Sequence, residues 1–434
     1  MNYEQTLDYL YSRLPVFHQI GSSAYKPGLE NTIRILTALH QPQNSFRSIH
    51  VAGTNGKGSV SHFLSSILQS AGFKTGLYTS PHLVDFGERI RVNGETIDKQ
   101  FVVDFVENHK SLIEKVQPSF FEITMAMAFD YFAKSEVDVA VIEVGLGGRL
   151  DSTNIIQPEL SIITNISFDH EEFLGHTLPE IAAEKAGIIK PHTPVVIGEA
   201  LSETKPVFIQ KAFEMNAPIF FSEDSRQVFF ERYEENRMWV KTSDGKSYLV
   251  GLTGNYQLKN IATVLTAVDQ LRKTNFEITE INLKEGLEKV IEKTGLQGRW
   301  QIISSSPKII ADTGHNPGGI AFVSQQLKTQ QFRTLRMVFG MVNDKDIDTV
   351  LTLLPKNGVY YFTQAKIKRA FPSEDLLQKG QLAGLNGKAF STIEEAIKVA
   401  LNEADKEDLI FIGGSNYVVG EALSFFRKDE KVTR

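Results

Sequence analysis

The sequence predicts an α/β protein made of a first domain with a parallel sheet and a second, doubly wound domain, and three features of the chain support this prediction. Short β-branched runs alternate with longer helical patterns through the first half, which is typical of a parallel sheet wrapped by helices. The run 137–144 is nearly all apolar until Glu143, as expected for a central strand buried on both faces. The same alternation restarts after a Gly-bounded segment, 295–298. We therefore predict one domain over 1–296 and a second over 297–434.

Each predicted strand of the first domain is a short apolar run bounded by turn residues. These strands cover residues 48–52, 75–78, 139–144, 160–166 and 195–197. After about Phe220 the pattern changes to small antiparallel strands at 228–231, 238–241 and 247–252, with a Ser243-Asp244-Gly245 turn signal. A helix is predicted over 257–271. The first domain should thus combine a parallel sheet with a small antiparallel sheet.

The second domain has its own set of strands, predicted at 308–311, 335–339, 359–362 and 409–412 with helices between them. This is the pattern of a Rossmann-like α/β domain, in which ligands bind beyond the carboxyl ends of the strands. Polar clusters follow three of these strands, at 312–317, 341–346 and 413–416. We expect a ligand site there, facing a cleft shared with the first domain.

Composition excludes several classes of protein. The 434 residues are 41% hydrophobic and 23% charged, with a formal net charge of −6, which argues against a nucleic-acid-binding surface. No apolar run approaches the length that spans a bilayer, and we do not expect the first ten residues to form a signal peptide. Cysteine is absent, which removes disulfides, thiolate metal sites and a cysteine nucleophile. We expect a cytoplasmic monomer that binds small molecules, without nucleic-acid or membrane partners.

The most informative segment is 50–59, His-Val-Ala-Gly-Thr-Asn-Gly-Lys-Gly-Ser. It follows a predicted strand and leads into an apolar-periodic helix, an arrangement that cradles phosphate with backbone N–H groups and the helix N-terminus. Lys57 can reach the outer phosphates, and a nearby hydroxyl can ligate magnesium. The segment departs from the common phosphate loop, since Val51 replaces a glycine and Ser59 comes one position late. An ordinary helix-entry turn is the alternative interpretation.

Two strand ends near this loop carry polar side chains. Glu143 closes a buried strand, where a carboxylate is expected to bind Mg²⁺ together with phosphate oxygens. An ion pair with Arg149 is the structural alternative. His170, after Asp169, closes the next strand and is either a second ligand or a structural residue.

Three further sites are ambiguous on local grounds. Lys185 lies on a helix opened by a capping box at Thr177, and local reasoning favours an ion pair with a neighbouring carboxylate. Asp312 and His315 could bind ribose or position phosphate, whereas a helix cap and turn would explain only the residues after them. Arg299 and the tryptophan after it could reach a nucleotide or pack between domains.

The ordered set of motifs resembles the folylpolyglutamate synthase and dihydrofolate synthase family, a branch of the Mur ligases. Any one motif is weak, but the order along essentially the whole chain is very specific. The motifs are KPGLENT from Lys26, HVAGTNGKGS, TSPHL from Thr79 with Glu88-Arg89-Ile90, Phe120-Phe121-Glu122, EVGLGGRLDSTN from Glu143, ITNISFDH from Ile163, EKAGIIK from Glu184, GNYQ from Gly254 with Asn260, Gly298-Arg299-Trp300, DTGHNP from Asp312 and Asp344-Lys345-Asp346. The family commonly has DGAHNP at the Asp312 motif; the Asp and His are retained here.

The resemblance implies ATP-dependent joining of glutamate to the carboxylate of dihydropteroate or a folate, through an acyl phosphate. It assigns Lys57, Lys185 and His315 to catalysis. It implies ATP contacts from the phosphate loop and from three later residues. These ATP-binding residues are Gly53, Thr54, Asn55, Gly56, Lys57, Gly58, Ser59, Asn260, Arg299 and Asp312.

For the other ligands, the resemblance implies two Mg²⁺ ions and allows for K⁺. The metal residues would be Ser80, Glu143, His170 and Lys185, the last as a carbamate, which reverses the local interpretation of that lysine. Near the pterin, the resemblance implies Ser80, Pro81, Phe121 and Asp151.

Other functions remain open at this point. A ligase acting on a cell-wall precursor is disfavoured by the Ser80-Pro81-His82-Leu83 and GLGGRLDSTN segments. A phosphate-loop NTPase that serves as a regulatory switch leaves Asp312 and His315 unexplained. A dinucleotide dehydrogenase is disfavoured because the Gly-rich turn contains Lys57 and lacks a clean G-x-G-x-x-G. The sequence does not discriminate between dihydropteroate and reduced folates as the acceptor.

Overall fold

The computed structural model describes residues 1–15 and 28–432. Lys26 and Pro27 of the KPGLENT motif lie outside the described residues. The chain divides into two compact units. The first contains Met1–His82, Phe86–Gly251 and Gln257–Leu296, and the second contains Leu83–Asp85, Leu252–Tyr256 and Gln297–Arg434. The main boundary lies between residues 296 and 297. Two short earlier segments, Leu83–Asp85 and Leu252–Tyr256, also belong to the second unit.

An eight-stranded sheet forms the centre of the first unit, in the order β4-β3-β2-β5-β1-β6-β7-β8. Its strands are β1 (Arg47–Ala52), β2 (Thr75–Tyr78), β3 (Ile90–Val92), β4 (Glu95–Thr96), β5 (Val139–Glu143), β6 (Leu160–Ile163), β7 (Val195–Ile197) and β8 (Ile219–Phe221). The pairs among β2, β5, β1, β6, β7 and β8 are parallel, and β3 and β4 add an antiparallel edge. The predicted parallel sheet is confirmed.

Helices cover this sheet, because its central strands are buried along their whole length. They are α1 (Tyr3–Arg13), α2 (Glu30–Ala38), α3 (Lys57–Ser70), α4 (Lys99–Val116), α5 (Phe120–Lys134), α6 (Glu171–Leu174), α7 (Leu178–Ala186), α8 (Lys205–Glu214), α9 (Ser222–Ser225), α10 (Gln257–Leu271), α11 (Glu280–Glu288) and α12 (Val290–Thr294). Short 3₁₀ turns occur at Pro42–Asn44, Phe86–Arg89 and Ser152–Ile155.

The predicted small antiparallel sheet is also present, as β9 (Val228–Glu234), β10 (Arg237–Thr242) and β11 (Ser247–Val250) in the order β11-β10-β9. Predicted and observed strand bounds differ most at β6 and β9, by three residues each; β9 continues to Glu234 instead of ending at residue 231. The prediction extends β6 to Ile166, whereas the strand ends at Ile163 and the next residues turn toward the loop after β1. The edge strands β4 and β8, and β3 beside β4, were not predicted.

The second unit contains a six-stranded sheet in the order β12-β13-β17-β14-β15-β16. Its strands are β12 (Gln301–Ser305), β13 (Lys308–Asp312), β14 (Leu335–Phe339), β15 (Val359–Phe362), β16 (Asn386–Ala389) and β17 (Leu409–Gly413). Its helices are α13 (Pro317–Leu327), α14 (Ile347–Leu353), α15 (Ser373–Leu382), α16 (Ile393–Glu403) and α17 (Asn416–Val432). All pairs are parallel except β12 with β13, so the sheet is mixed.

Alternation along β17 shows why this unit is doubly wound. Leu409 and Phe411 belong to one apolar cluster, and Ile410 and Ile412 belong to another. Because successive side chains in a strand point to opposite faces, the two clusters lie on the two sides of the sheet. Helices must therefore cover both faces, as predicted for a Rossmann-like domain.

Among the described residues, none forms a helix with both the length and the apolar character that crossing a membrane requires.

Candidate active site

The loop between β1 and α3 has the backbone expected of a phosphate-binding loop. Gly53 has φ +143°, and a Cβ there would lie 1.9 Å from Thr164 Oγ1. Gly56 has φ +86°, and a Cβ there would lie 2.3 Å from Asn260 Oδ1. Only glycine combines these positive φ values with such close neighbours. An ordinary helix-entry turn does not require this, so the geometry favours the phosphate-loop interpretation.

Residues after β6 hold this loop. Thr164 Oγ1 donates to the Asn55 carbonyl at 2.6 Å, and the Asn55 amide donates to Asn165 Oδ1 at 2.9 Å. The Asn55 side chain also donates to Ser167 Oγ at 3.1 Å. Sequence reasoning did not assign roles to Thr164 and Asn165. The available signal was their position at the carboxyl end of the strand next to β1.

Two lysine ammonium groups meet at the first residue of the loop. Lys57 Nζ donates to the carbonyls of Gly53 at 3.0 Å and Thr54 at 3.2 Å. Lys185 Nζ donates to the same Gly53 carbonyl at 3.1 Å, although it is 132 residues away in sequence. Two positive charges therefore lie within a few ångströms of each other beside the loop, where an anionic ligand would be stabilised.

Lys185 is 4% exposed, and the local expectation of an ion pair for it is wrong. Its side chain contacts a backbone carbonyl, while the neighbouring Glu184 pairs with Arg149 at 2.8 Å. Burial, and after it the charge of Lys57, lowers the pKa of Lys185 to about 7. A substantial fraction of this amine is therefore neutral near pH 7.

Two glycines bring Lys185 to the loop. A Cβ on Gly148 would lie 2.9 Å from the Glu184 carbonyl, and a Cβ on Gly187 would lie 2.4 Å from Arg149 Cα. The Arg149 amide donates to the Glu184 carbonyl at 2.8 Å. The segment after β5 and the end of α7 thus pack backbone against backbone. The capping box predicted at Thr177 is present at the other end of α7.

Glu143 and Ser80 are brought together. Glu143 ends β5, is 4% exposed, and its Oε2 accepts the Ser80 amide at 3.2 Å. Arg149, the partner in the alternative interpretation of Glu143, pairs with Glu184. A buried carboxylate beside a hydroxyl-bearing residue supplies hard oxygen donors, which suit Mg²⁺.

His170 follows β6 in a left-handed conformation, φ +52°, immediately before α6. Its Nε2 lies 3.8 Å from Asp169 Oδ1. Within residues 1–15 and 28–432, no three His, Asp or Glu side chains already converge as a metal site. The assignment of His170 with Glu143 to one metal stays a prediction. Any such ion would need oxygens from a bound phosphate as well.

A chain of buried amides runs from the loop helix to α10. Gln257 Nε2 donates to Ser59 Oγ at 3.1 Å, and Asn260 Nδ2 donates to Gln257 Oε1 at 2.7 Å. Asn260 in turn is the residue that a side chain at Gly56 would strike. The structure therefore places Ser59 and Asn260 beside the loop. Gln257 is a residue of this group to which sequence reasoning gave no role.

An aromatic ring packs on the segment after β5, two residues beyond Glu143. A Cβ on Gly145 would lie 2.5 Å from two ring carbons of Phe121, which is half-buried. Phe121 also packs with Tyr78 at a ring-centroid distance of 5.9 Å. Pro81 is exposed beside Ser80. An aromatic face next to the buried carboxylate can stack on a planar ligand.

Asp151 is buried and its carboxylate is used by its own loop. Oδ2 accepts the amides of Gly145 at 3.0 Å and Leu146 at 2.9 Å, and Oδ1 accepts the amide and hydroxyl of Thr153. Burial raises the pKa of Asp151, opposed by these four donors. Its observed contacts organise the loop, and a direct contact with a ligand stays a prediction.

In the second unit, Asp312 ends β13, and its carboxylate accepts three hydrogen bonds. Its Oδ2 accepts the Tyr256 hydroxyl and the Trp300 amide, each at 2.7 Å, and its Oδ1 accepts the Gly314 amide at 2.8 Å. Burial raises the pKa of Asp312, and burial with the Asp312 charge raises that of Tyr256 well above its usual value. Asp312 thus has a structural role that sequence reasoning missed.

Arg299 and His315 both contact Thr313, the residue that follows β13. Arg299 Nη1 hydrogen-bonds Thr313 Oγ1, and His315 Nδ1 lies 2.9 Å from the Thr313 carbonyl. A carbonyl only accepts, so His315 Nδ1 carries the proton. The predicted cap is present too, because Asn316 Oδ1 accepts the Gly319 amide at 2.8 Å. Nucleotide contacts from Arg299, Asp312 and His315 stay predictions.

Comparison with known proteins agrees with this arrangement. Residues 51–268 match the Mur ligase middle domain, and residues 298–416 match the Mur ligase glutamate ligase domain. The chain is 33% identical to the dihydrofolate synthase/folylpolyglutamate synthase of Bacillus subtilis, over 91% of this chain and 94% of the relative. It is 32% identical to the folylpolyglutamate synthase of Lacticaseibacillus casei, over 95% and 96% of the two chains.

Solved structures give the same result. Escherichia coli FolC in complex with DHPP and ADP superposes with a TM-score of 0.84 at 29% identity, covering 99% of each chain. The Mycobacterium tuberculosis folylpolyglutamate synthase complexed with ADP superposes with a TM-score of 0.87 at 28% identity, covering 98% of each. With its phosphate loop, buried strand-end carboxylate and both Mur ligase domains, the chain belongs to the dihydrofolate synthase/folylpolyglutamate synthase family of ATP-dependent ligases.

Proposed function

We propose that this protein joins L-glutamate to the carboxylate of dihydropteroate, of a folate, or of both, and splits ATP to ADP and phosphate. The names of its relatives support the reaction. The observation that carries the proposal is the convergence of Lys57 and Lys185 on the Gly53 carbonyl. The Lys57 cation beside a glycine-bounded loop suits the transfer of a highly charged phosphoryl group, and the amine of Lys185 adjoins it at the same carbonyl.

The chemistry requires two steps, since a carboxylate is a poor electrophile. An oxygen of the acceptor carboxylate attacks the γ-phosphorus of ATP, the bond to ADP breaks, and an acyl phosphate forms. The amine of glutamate then attacks the acyl carbon, phosphate leaves, and the amine loses a proton. The loop amides and Lys57 stabilise the charge on the transferring group. Lys57 must exchange its bonds to Gly53 and Thr54 for bonds to phosphate oxygens.

Ser80, Glu143 and His170 are the residues proposed to hold Mg²⁺, with Ser59 near the same phosphates. A bound Mg²⁺ supplies charge neutralisation and in-line orientation of the phosphoryl oxygens. The buried Glu143 carboxylate and the Ser80 beside it are donors of the right chemical type. K⁺ remains a proposed additional cofactor.

Lys185 is proposed to be carbamylated. The neutral amine attacks carbon dioxide, a C–N bond forms, and one proton is released, which leaves a carbamate with two oxygens and a negative charge. Burial beside Lys57 lowers the pKa of Lys185 to about 7 and so supplies the neutral amine. The product would exchange a repulsive pair of cations for an ion pair and offer oxygens to a second Mg²⁺.

The acceptor is proposed to lie against Phe121, next to Glu143 and Ser80. A pterin is planar and aromatic, so it can stack on the exposed part of the Phe121 ring. Pro81 lines the same region by sequence, and Asp151 holds the segment on which Phe121 packs.

The decisive experiment incubates the purified protein with ATP, Mg²⁺, glutamate and one acceptor at a time, with products identified by mass. A glutamate-extended product formed together with ADP supports the proposal and reveals which acceptor is used. ADP formation without an extended product from either dihydropteroate or tetrahydrofolate would instead support a nucleotide-dependent switch. Lys57→Ala is the loss-of-function variant. Lys241→Ala, which changes an exposed lysine of β10, is its matched control.

The carbamate has its own test. Lys185→Ala is expected to lose activity that millimolar acetate restores in part, because acetate can supply carboxylate oxygens in the vacated space. Wild-type protein depleted of carbon dioxide should lose activity and regain it with bicarbonate. Full activity in Lys185→Ala, or indifference of the wild type to carbon dioxide, would contradict the proposal.

A further inference from the structure

Three buried polar side chains form a continuous hydrogen-bond chain behind the Phe121 surface. His50 Nε2 lies 2.8 Å from Thr153 Oγ1, and that hydroxyl donates to Asp151 Oδ1. His50 and Thr153 are 0% exposed and Asp151 is 4% exposed. The functional assignments above leave His50 and Thr153 without a role.

The direction of each hydrogen bond is fixed. Asp151 accepts from four groups, two on each oxygen, so it is present as the carboxylate. The Thr153 hydroxyl has one proton and gives it to Asp151, so its oxygen must accept from His50. His50 is therefore protonated at Nε2. Burial, and after it the charge of Lys190, lowers the pKa of His50 to about 3, so the ring is neutral.

The other ring nitrogen shows that this histidine is not placed for packing alone. His50 Nδ1 is buried and makes no hydrogen bond within the described part of the chain. A buried unsatisfied nitrogen costs free energy that an apolar side chain in the same place would avoid. The Nε2–H donor must therefore contribute something that offsets this cost.

The hydrogen-bond chain ends on the segment that supports Phe121. Asp151 Oδ2 accepts the Gly145 amide, and Gly145 is the residue on which the Phe121 ring packs. Glu143 is fixed in another way, because β5 pairs with β1 through Val51 and the Val144 amide donates to the Val51 carbonyl at 2.9 Å. Loss of the hydrogen-bond chain from His50 to Asp151 should therefore displace the Phe121 ring more than the Glu143 carboxylate.

We propose that His50 is a positioning residue for the acceptor. Because His50 donates to the Thr153 oxygen, the Thr153 hydroxyl proton is directed to Asp151. Asp151 in turn holds Gly145, and so it fixes the Phe121 ring that the acceptor contacts. The proposal rests on the proposed function only in taking Phe121 as the surface that binds the acceptor. The phosphate loop is held by Thr164 and Asn165, which are not members of this hydrogen-bond chain. Acceptor affinity and nucleotide affinity should therefore respond differently when it is broken.

The first test is independent of activity. Nitrogen-15 NMR of the histidine rings, assigned by comparison with His50→Gln, should show His50 neutral and protonated at Nε2 down to about pH 4, far below an ordinary histidine pKa of about 6.5. An Nδ1–H tautomer, or titration of His50 near pH 6.5, would overturn the proposal.

The second test measures binding of dihydropteroate and of ADP by calorimetry in two matched pairs of variants. His50→Leu and Thr153→Val remove a donor, whereas His50→Gln and Thr153→Ser retain one at nearly the same place. The first pair should weaken acceptor binding about tenfold, near 1.4 kcal/mol, with ADP affinity within about twofold of wild type. The second pair should stay within about threefold of wild type for both ligands.

A double variant completes the cycle. His50→Leu with Thr153→Val should weaken acceptor binding no more than Thr153→Val alone, because both changes break the same chain. Multiplicative effects, an equal loss of ADP affinity, or no rescue by the conservative pair would overturn the proposal. A wild type that binds dihydropteroate but forms no glutamate product would overturn the proposed function and leave this inference standing. A wild type that does not bind the acceptor would overturn both.

Discussion

Replacing Asp312 should unfold the second unit before it reveals anything about catalysis. Asp312→Ala leaves three donors without their acceptor: the Tyr256 hydroxyl and the amides of Trp300 and Gly314. A buried donor left unsatisfied costs about 1–3 kcal/mol. With some rehydration of the site, the loss in unfolding free energy should be roughly 3–6 kcal/mol, or about 10 °C in Tm for a unit of this size.

Trp300 makes this prediction measurable, because it is one of 2 tryptophans in the chain and is 3% exposed. In a Trp239→Phe background, its fluorescence reports unfolding of the second unit. Urea titrations would compare Asp312→Ala with Tyr256→Phe. The latter removes one of the three donors and leaves the carboxylate paired with two amides. It should therefore cost only about 1 kcal/mol.

A loss below about 1 kcal/mol in Asp312→Ala, within the range of ordinary surface substitutions, would refute the reasoning. So would a Tyr256→Phe variant as unstable as Asp312→Ala. If the prediction holds, the turnover of Asp312→Ala must be divided by its folded fraction before any nucleotide contact is inferred. His315→Ala, which leaves the three donors paired, is the cleaner test of catalysis by this strand end.

Three further outcomes are expected. Lys57→Ala should lower turnover by about 10²–10³-fold with little change in Tm, because it removes the positive charge that stabilises the transferring phosphoryl group. Unchanged turnover in a folded variant would refute the phosphate-loop assignment. Gly187→Ala should destabilise the first unit, since its Cβ would lie 2.4 Å from Arg149 Cα, and a Tm equal to wild type would contradict the packing. His50 has a folded-state pKa of about 3, so acid protonates only the unfolded state and stability falls with pH. Between pH 6.5 and pH 5 the wild type should lose about 2 kcal/mol more than His50→Gln in denaturant titrations, and parallel pH profiles would contradict this.

Strands with continuous apolar runs were predictable from the sequence. The bounds of β2, β7, β14 and β15 match the prediction, because each run is buried and ends in turn residues. The strand β16 was not predictable, since its sequence Asn-Gly-Lys-Ala has no apolar alternation. Its place at a sheet edge, half exposed to solvent, imposes no such requirement.

Site residues were likewise predictable when they stand together in a sequence motif, and not when their partners are distant in sequence. The glycines and Lys57 of the phosphate loop are recognisable because they stand together in one short motif, although Thr164 and Asn260, the neighbours that require glycine at 53 and 56, are distant in sequence. Lys185 was misjudged locally because its partner, the Gly53 carbonyl, is 132 residues away. The position of Lys185 follows from the fold, so only the family resemblance could suggest it from sequence.

The backbone contact between Gly148 and Glu184 has a consequence for how far this site can vary. Side chains normally separate packed segments and can be exchanged for larger or smaller ones as a family diverges. Here the carbonyls of Glu184 and Lys185 lie where a Cβ on Gly148 would be, at 2.9 and 3.0 Å, so no side chain is available to adjust the spacing. The spacing between the segment after β5 and the end of α7, which carries Lys185, is therefore set by main-chain dimensions. Homologous enzymes could alter specificity around Phe121 while this spacing, and any phosphoryl chemistry that depends on it, stays constant.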